Sequence, residues 1–315
     1  MNKLVSVVGV LGLSLVGCGT DGGAKNDGPE VLDNLEVPPA PEHGLQVITP
    51  IVRDIQPGTD SEICTWTDAF VNQTTDIKST LAFQTEPGHH TIVFYTLDKQ
   101  EAGLQRVCTD TDMASFRFLA GNAGNGIENV APGNLVYRVP AGAQIVINHH
   151  YLNATDEVMD GQSLVNINFA PEGGSYIPSG STAFLNSGLD VAQGISSQDQ
   201  HCVIDRTMKL WYFAPHMHRW GTNIKIDITK NGDRQRMFDT NWDPSFTFHP
   251  PEKRQDPSTP MILSPGDMVD VHCEWNNDTG RNLGFGFEMC VAFGQFVDDG
   301  NTGNWACDAG HWTDF

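Results

Sequence analysis

Six of the eleven histidines fall into three tight groups, His89-His90, His149-His150 and His216-Met217-His218. Neutral imidazole is the commonest side-chain ligand for a transition metal. In a β-strand, residues two apart point to the same face. His216 and His218 can therefore clamp one ion while Met217 points the other way. Adjacent histidines need a different device, because regular pleating sends them to opposite faces. His89 follows Pro87-Gly88, so a turn-to-strand junction is expected there, with backbone freedom to bring both rings together. His149 and His150 lie inside the apolar run 146–151, where only one of the two should face a given site. A further donor is Met289, in Glu288-Met289-Cys290. A strand methionine is by default core filler. Next to a cysteine held in a disulfide, its backbone would be firm enough for a weak thioether ligand. Thioether with imidazole is a soft donor set that accepts Cu(I), whereas zinc favours imidazole, thiolate and carboxylate. The donor types point to copper.

The elements that must position these residues read as β throughout. Short runs of β-branched and aromatic residues recur between Gly, Pro and Asn/Asp clusters, at 45–52, 91–97, 135–139, 144–151, 164–170, 208–214, 223–229, 268–275 and 283–293. Many short strands without helical periodicity predict an all-β antiparallel sandwich or jelly roll. The stretch 171–200 is polar and Gly/Ser-rich, and a boundary is placed in it. The chain then divides into a β domain over 45–190 and another over 191–315, as its length allows.

The formal charge is 18 − 39 = −21, which excludes a nucleic-acid-binding surface as the default. Residues 1–18 combine Lys3, an apolar run from Leu4 to Leu15, and small residues ahead of Cys18. That pattern reads as a secretory signal and resembles the lipobox of bacterial lipoproteins, in which the cysteine is acylated. The expectation is an exported protein, lipid-anchored through Cys18 to a bacterial membrane, periplasm-facing or on the cell surface. Residues 19–44 are rich in Gly, Asp, Asn, Glu and Pro and read as a flexible tether. Without Cys18, six cysteines remain: Cys64, Cys108, Cys202, Cys273, Cys290 and Cys307. An even number in an oxidising compartment predicts three disulfides, and spacing leaves their pairing open. The absence of a Cys-x-x-Cys pair argues against a thiolate metal site.

Taken in order, His89-His90 after a first cysteine, His150-Tyr151 at a strand end, His216-x-His218, and Glu288-Met289-Cys290 resemble the copper type II, ascorbate-dependent monooxygenases. This is the family of peptidylglycine α-hydroxylating and dopamine β-monooxygenases. The likeness covers about residues 60 to 310. It implies two jelly-roll-like domains in tandem, each with one mononuclear copper, facing across a cleft. One copper would be held by His89, His90 and His150, the last because a tyrosine follows it. The other, the oxygen-activating one, would be held by His216, His218 and Met289. The implied disulfides are Cys64–Cys108, Cys202–Cys307 and Cys273–Cys290. The implied reaction hydroxylates a C–H bond of a small organic substrate, using O2 and a one-electron reductant such as ascorbate.

Where peptidylglycine enzymes carry an arginine, an asparagine and a tyrosine for the peptide carboxylate, this chain has Ala214, Val291 and Phe293. No group remains to pair with that charge, so a glycine-extended peptide is not the expected substrate. Two other readings use the same residues: a copper-binding lipoprotein without turnover, and a non-catalytic β-sandwich surface module. His43, His201, His249, His272 and His311 lack motif context and read as structural or surface residues.

Overall fold

The computed structural model describes residues 30–122, 125–247, 249–300 and 303–314; Cys18, the signal segment and the first part of the tether lie outside them. Among the described residues the fold is all-β, with one short α-helix, Asp110–Ser115, and a 3-10 turn, Pro244–Thr247. The helix starts at a capping box in which Thr109 and Asp112 satisfy each other's backbone amides.

In the N-terminal half, one set of strands runs Gly44–Ile48, Ser163–Phe169, Thr75–Gln84, Leu135–Val139. A second sheet runs Leu104–Val107, Asp60–Phe70, Gln144–Leu152, Gly88–Thr96, Arg117–Asn122. Alternate residues of both meet in one core that includes Ile77, Val93, Leu135, Ile145, Ile147 and Val165. In the C-terminal half, Ile177–Leu185, Val291–Val297 and Met208–His216 lie side by side. They share a core with the sheet Gly194–Val203, Met268–Asn277, Gly221–Lys230, Asp233–Asn241 through Phe184, Phe213, Ile224, Ile226, Val271 and Trp275.

The halves share backbone as well as side chains. Ile177 and Pro178 pair in parallel with Leu135 and Val136, which joins strands of both halves into a single twelve-stranded sheet. Trp211 and Val297 of the C-terminal half are buried in the N-terminal core. Phe118 meets Phe293 edge-on at 5.6 Å across the same seam.

Several boundaries differ from the sequence reading. The run 45–52 is interrupted at Pro50, which has no N–H for the ladder, and resumes as Val52–Ile55. The run 283–293 is not one strand. Leu283–Gly284 pairs with Asp190–Val191, residues 285–290 turn, and pairing resumes at Val291–Val297. Gly286, at φ 100°, makes that turn with a backbone conformation an L side chain resists. Met289 therefore sits in a connection and not in a strand. The Gly/Ser-rich stretch 171–200 contains the strands Ile177–Leu185 and Gly194–Val203. The stretch expected as a tether is held from residue 30 on. Leu35 is buried with Phe83 and Leu164, and Gln162 binds the backbone of Glu30 and Leu32.

The six cysteines form Cys64–Cys108, Cys202–Cys307 and Cys273–Cys290. Such disulfides fit an extracellular or periplasmic protein. Among the described residues no helix is long and apolar enough to cross a membrane.

Candidate metal centre

Strands Gly88–Thr96 and Gln144–Leu152 are antiparallel neighbours, and their register slips by one residue at the end that carries the histidines. His150 is opposite His90, but Tyr151 is opposite Gly88. His89 is thus the extra residue of a β-bulge. The bulge is what lets two consecutive rings face one site, against the alternation of a regular strand.

The ligand atoms of His89, His90 and His150 all lie within 4.8 Å of one another, and among the described residues no other group of three or more His, Cys, Asp or Glu does so. The Nδ1 atoms of His89 and His150 are 3.2 Å apart, and those of His150 and His90 are 3.3 Å apart. Donors at about 2.0 Å from one ion in tetrahedral array are about 3.3 Å from each other. The spacing fits a single ion bound through Nδ1.

The far nitrogen of His150 is fixed as well. Nε2 lies 2.6 Å from Asp60 Oδ1. A carboxylate only accepts, so Nε2 carries the proton and Nδ1 keeps its lone pair for the ion. Asp60, at the first position of strand Asp60–Phe70, carries no motif that sequence reasoning uses. His90 is held down to about 2 by burial first, then by the charges of His150 and His89. Burial also lowers His89. Both are neutral donors near pH 7, so binding a cation displaces no proton from either.

His149 turns away. Its ring is wholly buried, with Nε2 at 2.7 Å from Thr65 Oγ1 and Nδ1 at 2.9 Å from the Tyr151 hydroxyl and 3.0 Å from Ser163 Oγ. Both nitrogens are engaged, and burial pushes it down to about 3. It is a core histidine satisfied by hydroxyls.

His216 is the last residue of its strand, and His218 lies two residues beyond. Their rings stand perpendicular with centroids 5.0 Å apart. Met217 between them is fully buried in the C-terminal core. Burial, with His218 adding, pushes His216 down to about 3. The 285–290 turn lies against this pair. The Phe287 carbonyl is 3.3 Å from His218 Nδ1, and the buried Glu288 carboxylate accepts from the amides of His218, Trp220 and Met289. The Met289 side chain is half-buried beside Ala183, Val291 and Ala306.

His249 reads from sequence as a surface residue, and it is exposed. It lies near enough to the triad that its positive form lowers both His89 and His90. The 3-10 turn that precedes it is packed on the C-terminal core through Phe246 and Trp242. His216 in turn adds to the lowering of His90. Sequence offered no signal for His249, because its approach is purely tertiary. A cavity of about 320 Å³ on the seam between the halves, lined in part by Tyr95, Phe118, Tyr137 and Arg138, contains none of these histidines.

No protein-family model and no curated protein matches the chain.

Proposed function

We propose that the protein is a copper-dependent monooxygenase similar to the peptidylglycine and dopamine enzymes, lipid-anchored outside the cytoplasm through Cys18. In this reading two jelly-roll-like domains each hold one copper. His89, His90 and His150 take the first, and His216, His218 and Met289 take the second. The observation that carries the reading is the convergence of three Nδ1 atoms with the opposite nitrogen of His150 held by Asp60. The order of the remaining motifs and the identity of all three disulfide pairs support it.

Copper, when bound, supplies one-electron chemistry at each centre and an open position for dioxygen at the thioether-ligated one. The chain's own part is to keep His89, His90 and His216 neutral, to fix the His150 tautomer, and to hold donors from distant segments together. It also sets the surroundings of the second centre. Ala214 is paired with Phe293, and His216 with Val291. Ala183 is paired with Phe293 and with Ala306. Paired residues share a face, so His216 stands at the edge of a patch of alanines, valine and phenylalanine. Met289, Phe285 and Leu185 pack on the same cluster. Such a face excludes water and favours an uncharged, apolar substrate over a peptide carboxylate.

The test is metal analysis of untagged protein followed by oxygen uptake with ascorbate. Two coppers per chain, and uptake that grows with small apolar C–H compounds but not with glycine-extended peptides, are expected. A chain that takes up no copper would end the proposal. One observation favours a second reading, copper binding without turnover: Met289 packs among apolar side chains. Two bound coppers with no uptake on any C–H compound would decide for it.

A further inference from the structure

Neither donor of the second centre that comes from a connection is held by strand pairing. The ladder between Met208–His216 and Val291–Val297 ends at His216 and Val291. His218 and Met289 both lie beyond it, in irregular backbone. Something else has to keep them together.

Glu288 has no exposed surface. A buried carboxylate persists only where its oxygens are well satisfied. Here Oε1 accepts from the His218 amide at 2.6 Å and the Met289 amide at 2.9 Å, while Oε2 accepts from the Trp220 amide at 3.0 Å. One oxygen atom therefore ties the backbones of both donor residues. The Glu288 amide donates in turn to the Gly284 carbonyl at 3.1 Å, and Cys290 is bonded to Cys273. The clamp is thereby fixed to the Met268–Asn277 strand.

We propose that Glu288 is a positioning residue that holds His218 and Met289 in register as a copper-binding pair. The inference rests on the copper reading above and adds to it the residue that assembles the second centre. Because Oε1 serves both donors and Oε2 serves only Trp220, the oxygens have separable roles. A glutamine that keeps its carbonyl oxygen on the shared pair preserves the pair and turns an amide N–H toward Trp220, losing one hydrogen bond. An alanine loses all three.

The probe is copper alone, added to full-length untagged protein under anaerobic reducing conditions with a competing chelator. Wild type is expected to bind two ions, and Glu288→Ala one, with the triad ion retained. Glu288→Gln is expected to bind two, the second weakened by about 10- to 100-fold as for other supporting groups of metal ligands. Amide hydrogen exchange gives a second readout without metal: in Glu288→Gln, protection falls at Trp220 and persists at His218 and Met289. This readout keeps the proposal testable should the alanine variant not fold. A simple stabilising role predicts the opposite pattern, with all three amides losing protection together and both coppers weakening alike. That result, or an alanine variant that binds both coppers as wild type does, would overturn the clamp while leaving the copper reading intact. A wild-type chain whose copper uptake is unaffected by His216→Ala would overturn the second centre itself, and the clamp with it.

Discussion

Asp60 supplies the sharpest test of the triad, because its contribution separates into two parts. Its carboxylate sits 2.6 Å from His150 Nε2 and its side chain is 54% exposed. A buried hydrogen bond to a charged group contributes about 1.5 to 3 kcal/mol, and half-exposure cuts this to about 1 to 2 kcal/mol. Asp60→Ala removes both the charge and the acceptor that fixes the tautomer. The triad's copper affinity should then fall about 5- to 30-fold, since about 1.4 kcal/mol is tenfold in a binding constant. Asp60→Asn keeps an oxygen that can accept from Nε2 and loses only the charge, so its loss should be smaller, about three- to fivefold on the same hydrogen-bond scale. The assay is chelator competition in a His216→Ala background, where only the triad binds. The unfolding temperature of the metal-free variants should fall only modestly, because Asp60 is half-exposed although His150 is buried. An alanine variant with wild-type affinity would refute the tautomer argument, as would an asparagine variant weaker than the alanine one.

Replacing His149 by alanine should leave two coppers bound yet lower stability by about 2 to 4 kcal/mol in urea unfolding, since a cavity remains and the Thr65, Tyr151 and Ser163 hydroxyls each lose a partner. Loss of an ion would make His149 a ligand instead. Metal-free protein should lose stability as pH falls below about 6.5, where an unfolded histidine begins to take up its proton. His90, His149 and His216 stay neutral down to about 2, 3 and 3, so the folded state binds fewer protons over that window and stability rises with pH. The slope should be about 1.4 kcal/mol per pH unit for each group, and a urea midpoint unchanged between pH 7 and pH 5 would contradict it. Met289→Ile should abolish oxygen uptake and keep the triad ion; unchanged uptake would remove Met289 from the site.

Much of the fold was legible because its signals are local. The strands at 135–139 and 144–151 are β-branched and aromatic runs buried along almost their whole length, the strand at 223–229 alternates isoleucine with polar residues, and the turns between strands carry Gly, Pro or Asn. Reading failed where tertiary packing sets the residue type. Ile177–Leu185 contains Gly180 because a Cβ there would come within 2.3 Å of Phe296 Cζ. That glycine, with its serine neighbours, gave the strand the composition of a linker. The break at Gly286 was hidden inside an apolar run, because apolar residues suit a packed turn as well as a strand. At the site, the His89-His90 and His149-His150 pairs could be picked out because imidazole is rare and was clustered, while the choice of His150 over His149 came from the family resemblance, through the tyrosine that follows it. Asp60 and His249 could not, since carboxylates are abundant in so acidic a chain and a lone histidine carries no spacing, and Glu288, though it stood in the Glu288-Met289-Cys290 motif, carried no role of its own there.

The pairing of Ile177 and Pro178 with Leu135 and Val136 has a mechanical consequence. Two lobes joined by a linker can breathe, and the gap between their prosthetic groups widens and narrows with each excursion. Here an excursion would have to strip main-chain hydrogen bonds and pull Trp211 out of a foreign interior. The spacing between the imidazole clusters is thereby built in as a property of the scaffold. In the copper reading proposed above, the distance between the two centres is therefore set by the fold and not by domain motion.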